Sequence, residues 1–320
     1  MKKLLALVLA LAMVLAVAAC AKPAADTAKG GTTVGVTLYA RDQFISNLEK
    51  GILKAAEGKA TVDSQEANND TQKQQEQVRT FALKNYNALI VNLVDTSTAE
   101  TVISEAGEIP IIFINRRPDD SLLKEGKYAY VGSQEWDAGK MQAEFLAKFF
   151  EGRTEPIKYV LFMGQLGLEN TQQRTESVKK ELENAGFTLE KVFEDTAAWD
   201  RATAMDKMQT LIGTGAAFDC VICNNDEMAL GAIEAMKAAN IDLSKIPVVG
   251  IDATAMACES IKNGEMAMSA YQNATAQGEL AIEFAIKAAA GQLTDTLGWV
   301  PFEPVTAENV DTYIAIHNAG

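Results

Sequence analysis

Short apolar runs alternate with amphipathic stretches along nearly the whole chain. Thr33–Tyr39 is a β-branched run, and apolar residues then recur at helical spacing between Asp42 and Glu57. The same pair of patterns returns repeatedly, as far as a last apolar run at Trp299–Phe302. Regular alternation of strands and helices predicts parallel sheets covered by helices on both faces. The predicted fold class is therefore α/β.

Polar side chains follow nearly every predicted strand. In open α/β sheets a ligand binds beyond the carboxyl ends of the strands, so these positions are the candidates for a site. Asn and Asp also cap helices and shape turns, and we expect capping for Asp95 and Asp226. The remaining positions predict a shared polar cleft suited to hydroxyl groups. They are Tyr39 with Asp42 and Phe44, Asn92, Asn115 with Arg116, Asn225, Asp252, and Gln272 with Asn273.

The first twenty residues have the pattern of a secretion signal. Lys2 and Lys3 precede an apolar stretch of about 16 residues, which is shorter than the roughly 20 that a membrane-spanning helix needs. Small residues then lead directly into Cys20, and Val17-Ala18-Ala19-Cys20 resembles a bacterial lipobox. We therefore assign residues 1–19 to a signal peptide, Cys20 to a lipid anchor on the membrane, and 20–32 to a flexible tether.

The net charge, the chain length and the cysteines limit the possible partners, the number of domains and the disulfide bonds. The formal net charge is −14, and loss of the two lysines of the signal leaves −16, so we expect no nucleic-acid partner. About 300 residues is more than one core usually holds, which predicts two domains. Besides Cys20 there are three cysteines, an odd number that implies no disulfide framework. Cys220 and Cys223 lie in an apolar run, which favours buried thiols over a redox or metal pair.

Catalytic motifs are missing from the sequence. The single histidine is His317, and there is no nucleophile elbow, zinc-protease motif or phosphate loop. We therefore expect that the protein is not an enzyme. Residue types alone leave open a glycosidase in which Asp42 and Asp252 form the pair of catalytic carboxylates. A gene regulator would need an N-terminal DNA-reading module where this chain has a secretion signal. Docking to a chemoreceptor as a ligand sensor leaves no mark in a sequence and stays open.

From Thr33 to about Tyr313 the chain resembles periplasmic sugar-binding proteins of the galactose/glucose and ribose type. This implies a type I periplasmic binding protein, with two Rossmann-like lobes joined by a three-strand hinge and a sugar bound between them. The lobes would be 33–132 plus 274–300 and 133–272 plus 303–320. The partners implied are a monosaccharide and the permease of an ABC transporter, and we expect a monomer. The matching segments are GVTLY, NNDTQKQQEQ, NALIVNLVDTS, IPIIFINRRP, AYVGSQEWDAG, DTAAWDRATAMDKM, CNNDEMALGAIEAMK, IPVVGIDAT and VPFEPVTAENVDTY.

The resemblance also assigns residues to a sugar site. One aromatic ring from each lobe would stack on the apolar faces of the sugar, and carboxylates, amides and guanidinium groups would bind its hydroxyls. Arg116 and Gln272 match the ribose branch, and residue type alone makes a solvated surface arginine an equal alternative for Arg116. The full predicted set is Asp42, Phe44, Asn115, Arg116, Asn170, Arg174, Trp199, Asn225, Asp252 and Gln272.

Two departures from the galactose branch alter the expected specificity. Leu168 and Asn170 stand where that branch has a histidine and an aspartate, so a buried sugar hydroxyl would lose a partner there. We therefore expect glucose and galactose to bind less tightly than a pentose, a deoxy-hexose or another sugar with an apolar group near Leu168. The alternative is that a neighbouring residue such as Glu169 or Gln172 replaces the lost partner. The calcium loop of the branch is also missing, because residues 150–156 form only a short Gly-Arg turn. We predict no metal and no cofactor.

Overall fold

The computed structural model describes residues 31–319. The predicted signal peptide and Cys20 lie outside these residues. Between residues 31 and 319 no helix is both long and apolar enough to cross a lipid bilayer.

The first sheet has six strands in the order β11-β5-β4-β3-β1-β2. All of its neighbouring strands run parallel. Because β3 and β4 are buried along their whole length, this sheet is covered on both faces. Its strands are β1 (Thr32–Leu38), β2 (Ala60–Glu66), β3 (Ala88–Val91), β4 (Ile111–Ile114), β5 (Tyr128–Gly132) and β11 (Leu297–Trp299).

The second sheet repeats this arrangement in the order β12-β10-β9-β8-β6-β7. Its first five strands in chain order run parallel, whereas β12 pairs antiparallel with β10. The exception has a simple cause, since β12 follows β11 of the first sheet directly and no helix reverses the chain between them. Its strands are β6 (Ile157–Met163), β7 (Leu189–Thr196), β8 (Cys220–Cys223), β9 (Val248–Asp252), β10 (Met268–Gln272) and β12 (Phe302–Thr306).

The helices between these strands begin at polar residues that follow the strands. Asp42, Asp200 and Asn273 each accept a hydrogen bond from a backbone N–H in the first turn of the next helix. The helices are α1 (Gln43–Ala56), α2 (Thr71–Leu83), α3 (Ala99–Ala106), α4 (Glu135–Phe149), α5 (Glu169–Asn184), α6 (Arg201–Gly213), α7 (Asp226–Ala238), α8 (Ala255–Lys262), α9 (Ala274–Ala289) and α10 (Val310–Ala319).

The chain passes from one sheet to the other three times. It does so between β5 and α4, between β10 and α9, and between β11 and β12. Helix α4 packs on α5 of the second sheet, and α9 packs on α1 of the first. The two sheets with three crossings agree with the predicted α/β class.

The buried thiols lie on both faces of the second sheet. Cys220 and Cys223 are free and buried, and they belong to separate apolar clusters because three steps along a strand reverse the side-chain direction. Cys258 is also free and buried, and burial raises the pKa of its thiol to about 12. The prediction of buried structural cysteines is confirmed.

Helices α1 and α9 approach each other so closely that only glycine fits at the crossing. A Cβ atom on Gly51 would lie 2.6 Å from the carbonyl oxygen of Thr275, and one on Gly278 would overlap the backbone of Leu48 and Ile52. Both obstacles are backbone, which cannot turn aside as a flexible side chain can. The crossing therefore fixes where α1, and the polar residues at its start, sit over the first sheet.

We predict that Gly278→Val lowers the free energy of unfolding by about 1–3 kcal/mol, because the added atoms force α1 and α9 apart. Urea unfolding of the chain from Thr32 onward measures the change. Gly213→Ala is the control, since no atom lies within 4 Å of a Cβ at that helix end, and it should leave stability unchanged or raise it by up to about 1 kcal/mol. Equal stability of Gly278→Val and the wild type would show that the helices are not in tight contact.

Candidate functional site

A cavity with about 330 Å³ of empty space, part of it open to solvent, lies where the carboxyl ends of strands from the two sheets face each other. All ten residues predicted for the site line the cavity, and Tyr39 and Ile45 complete its wall. The lining residues are Tyr39, Asp42, Phe44, Ile45, Asn115, Arg116, Asn170, Arg174, Trp199, Asn225, Asp252 and Gln272.

Unusual backbone conformations aim several of these side chains into the cavity. Asn115, Trp199 and Asp252 have φ values of 63°, 71° and 116°, a region that residues other than glycine rarely adopt. Each lies at the end of a strand or shortly after one. Such conformations persist only when surrounding contacts hold them, and they concentrate at functional sites.

Asp252 is the charged group with the fewest partners in the cavity. Its side chain is 7% exposed, and no residue between 31 and 319 donates a hydrogen bond to its carboxylate. The nearest cation is Arg174, whose Nη1 lies 4.0 Å from Oδ1. Burial raises the pKa of Asp252 well above its ordinary value, and Arg174 opposes that shift. Both carboxylate oxygens are therefore available to hydroxyl donors.

Arg174 is held rigidly by three protein groups. Its Nε donates to Oε2 of Glu135 at 2.6 Å, Nη1 to the carbonyl oxygen of Asn224 at 2.8 Å, and Nη2 to Oε1 of Gln272 at 3.1 Å. A guanidinium has five N–H groups, so two remain unused on this side chain. The fixed fork can donate both to a ligand oxygen without first being ordered.

Glu135 is a residue of the site that the sequence did not reveal. It begins α4, is 3% exposed, and its second oxygen has no hydrogen-bond partner among the described residues. Burial raises the pKa of Glu135, and the guanidinium of Arg174 lowers it. The only available signal was an acidic residue in the first turn of a helix, which is ordinary.

The opposite wall is built around Tyr39. Its hydroxyl donates to one oxygen of Asp42, and the other oxygen accepts from the backbone N–H of Ile45 at 2.8 Å. The guanidinium of Arg116 lies 3.4 Å from the centroid of the Tyr39 ring and donates to the carbonyl oxygens of Leu93 and Val94. Arg116 is 2% exposed, so it is not a solvated surface arginine.

Phe44 and Trp199 supply the two aromatic rings. Phe44 comes from the start of α1, and Trp199 from the turn before α6. The indole of Trp199 lies directly over Gly164 at the end of β6, where a Cβ atom would overlap the ring. Its Nε1 is buried and has no hydrogen-bond partner among the residues that the structure describes. The ring is thus held by packing and retains an unused donor.

The expectations for helix caps are met in one case and wrong in the other. Asp95 caps a short helical turn by accepting from the backbone N–H of Ser97 at 2.9 Å. At the start of α7 the capping residue is Asn225, which accepts from Met228. Asp226 instead points into the protein, because a side chain in the first turn can reach the neighbouring strands as readily as its own helix.

Leu168 does not lie where the specificity argument placed it. Its side chain is 3% exposed but does not line the cavity, and Asn170 forms that part of the wall. Any effect of Leu168 on a ligand would therefore be indirect. In residues 31–319 no group of three His, Cys, Asp or Glu side chains is arranged to hold a metal ion. The absence of a metal or cofactor stays a prediction.

Residues 34–293 match the family described as the periplasmic binding protein domain. The chain belongs to this family. Like its relatives, the binding protein is extracytoplasmic and is a substrate-binding protein rather than an enzyme. The resemblance inferred from the sequence and the two-lobed type I fold are both confirmed.

Three similar proteins show the range within the family. A putative rhizopine-binding protein of Rhizobium meliloti is 36% identical, over 89% of this chain and 93% of that protein. The D-galactose/methyl-galactoside binding periplasmic protein of Haemophilus influenzae is 31% identical, over 88% and 91%. An ABC transporter solute-binding protein from Bacillus halodurans, solved with bound myo-inositol, is 35% identical with a TM-score of 0.82 and coverage of 89% and 98%.

We predict that Gly164→Ala displaces the indole of Trp199, because the added methyl group occupies the space of the ring. Near-ultraviolet circular dichroism and acrylamide quenching of tryptophan fluorescence detect the movement. The same substitution in a Trp199→Phe background is the control and should change neither signal. Identical spectra for Gly164→Ala and the wild type would mean that the ring does not rest on this glycine.

Proposed function

We propose that this binding protein is a lipid-anchored component of an ABC transporter that captures one monosaccharide between its lobes and delivers it to the permease. The observation that carries the proposal is Asp252, a buried carboxylate with no hydrogen-bond donor among residues 31–319. Burial without a hydrogen-bond donor disfavours the charged form of this carboxyl group, and a ligand that donates to it removes that cost. Vicinal hydroxyl groups can do this, since two of them can donate to one carboxylate.

The other walls of the cavity favour a neutral ring with hydroxyls at its edge. Asp42 is an acceptor, Arg174 has two unused N–H groups, and the amides of Asn115 and Asn225 can both donate and accept. Phe44 and Trp199 offer flat apolar surfaces on which the C–H faces of such a ring can stack. The residues that line the cavity include two carboxylates and two guanidinium groups, a balance that suits a ligand without net charge.

A cyclitol is a second candidate for the ligand. The solute-binding protein that was solved with bound myo-inositol is 35% identical to this chain, whereas the galactose binder is 31% identical. Like a pyranose, an inositol ring carries hydroxyls around its edge and C–H bonds on its faces. It has no ring oxygen, so the donors of Arg174 would bind a hydroxyl oxygen instead.

Delivery to a permease requires the protein to stay near the membrane. We infer that Cys20 carries the lipid and that residues 20–31 act as a tether, which ends one residue earlier than predicted because Thr32 already belongs to β1. We also propose that the lobes have the boundaries predicted from the sequence and that the protein is a monomer with one cleft. The two lobes would close over the ligand, and the closed protein with its ligand would then bind the transporter.

Isothermal titration calorimetry with D-glucose, D-galactose, D-ribose, a deoxy-hexose and myo-inositol tests the ligand class. We expect one ligand per chain in the presence of a chelator. Glucose and galactose should bind roughly 5- to 150-fold more weakly than the pentose or deoxy-hexose, because Asn170 lines the cavity where the galactose branch has an aspartate and so replaces a charged acceptor of sugar hydroxyls. Asp252→Asn should weaken the tightest ligand by roughly 10- to 150-fold, because a charged acceptor is lost. Submicromolar galactose or glucose binding, tighter than all others, would contradict the specificity.

The control for Asp252→Asn is Asp206→Asn. Asp206 is exposed on α6, away from the cavity, so this variant should bind as the wild type does. Failure of all five compounds to bind the wild-type protein would refute the proposed ligand class itself.

We also predict that Cys20→Ala moves the protein from the membrane fraction to the soluble fraction and leaves ligand affinity unchanged. The anchor lies at the end of a tether, whereas the cavity is built from residues 39–272. Fractionation of cells followed by a carbonate wash measures the distribution. A membrane-bound Cys20→Ala variant would contradict lipid attachment at this residue.

A further inference from the structure

The turn that carries Asp252 is made of residues that do not prefer its shape. Asp252 and Ala253 have consecutive positive φ values of 116° and 45°. Residues with a Cβ atom rarely adopt this region, so local preference does not form the turn. Bonds from other parts of the protein must hold it.

Two buried side chains supply those bonds. Ser269, in the middle of β10, accepts a hydrogen bond from the backbone N–H of Ala253 at 2.9 Å. Asp226 accepts from the backbone N–H of Thr254 at 2.8 Å with Oδ2, and from the hydroxyl of Ser269 at 2.6 Å with Oδ1. Both side chains are fully buried. The carboxylate and the hydroxyl therefore fix two successive backbone amides directly after Asp252.

Two further contacts restrict the same turn. The carbonyl oxygen of Ala253 lies 2.8 Å from Nε2 of His317, which comes from α10. On β9, Gly250 leaves room for Asp226, because a Cβ atom there would overlap Oδ1. Gly250 has no positive φ, so the space it leaves is the reason that this position suits glycine.

We propose that Asp226 and Ser269 are positioning residues for ligand binding, which hold the carboxylate of Asp252 toward the cavity through the turn at residues 252–254. Neither lines the cavity, so they act through Asp252 alone. This inference rests on the proposed function, in which Asp252 binds ligand hydroxyls. It assigns Asp226 a role beyond beginning α7.

The substitution Asp226→Asn tests the proposal with little change of shape. An amide can accept from only one of the two donors, so its NH2 group must face either the N–H of Thr254 or the hydroxyl of Ser269. Burial raises the pKa of Asp226, so titrations are made at pH 8, which favours the ionised carboxylate in the wild type. The probes are myo-inositol, D-ribose and D-galactose, and the one that binds most tightly is used throughout.

We expect Asp226→Asn and Ser269→Ala each to weaken binding by about 10-fold or more. A double-mutant cycle with Asp252→Asn separates positioning from general damage. Since both residues act through Asp252, adding Asp226→Asn to Asp252→Asn should weaken binding less than twofold further. An equal loss in both backgrounds, or unchanged affinity of Asp226→Asn, would overturn the proposal.

Asp219→Asn is the matched control. Asp219 lies directly before β8, and Asp226 lies shortly after it. Like Asp226, Asp219 accepts a hydrogen bond from a backbone N–H, in this case that of Lys158 at 2.7 Å. This variant should lower the melting temperature and leave affinity unchanged. If Asp226→Asn does not fold, Gly250→Ala displaces the carboxylate from the other side and should weaken binding in the same way. If the wild type binds none of the probes, the proposed function is refuted. If the wild type binds and only Asp252→Asn weakens binding, this inference alone is refuted.

Discussion

The burial of charge at the carboxyl edges of two sheets is the constraint on which the site depends. A charged group removed from water must find partners within the protein or in a ligand. Arg174 meets this demand through Glu135, Gln272 and a backbone carbonyl, whereas Asp252 keeps its oxygens without donors. The guanidinium of Arg174 is therefore fixed by the protein, whereas the carboxylate of Asp252 can gain hydrogen-bond donors only from a bound molecule.

The sequence predicted the fold and most of the cavity because both follow from local patterns. Apolar periodicity separates strands from helices, and in parallel sheets the residue after each strand lies at the ligand edge. Asn115, Asn225 and Asp252 could be found in this way. The roles of Glu135 and Asp226 could not, since each depends on a partner about 40 positions away, Arg174 and Ser269 respectively, that only the tertiary structure brings near.

The two expectations that failed in detail have the same physical origin. Leu168 and Asp226 both sit at the start of a helix, where the side-chain direction is set by what packs against the first turn. Leu168 is buried without lining the cavity, and Asp226 turns toward β9 and β10. A pattern of residue types predicts where a helix begins, but it does not predict which element of the fold packs against the first turn.

The buried cysteines make the chain a convenient scaffold for an optical sensor. Burial raises the pKa of the thiols of Cys220, Cys223 and Cys258, so labelling reagents, which react with accessible thiolates, reach none of them easily. In a version that starts at Thr32, a single cysteine introduced at the rim of the cavity would carry a fluorophore site-specifically. The emission of that dye would then report how the two lobes move when the cleft fills.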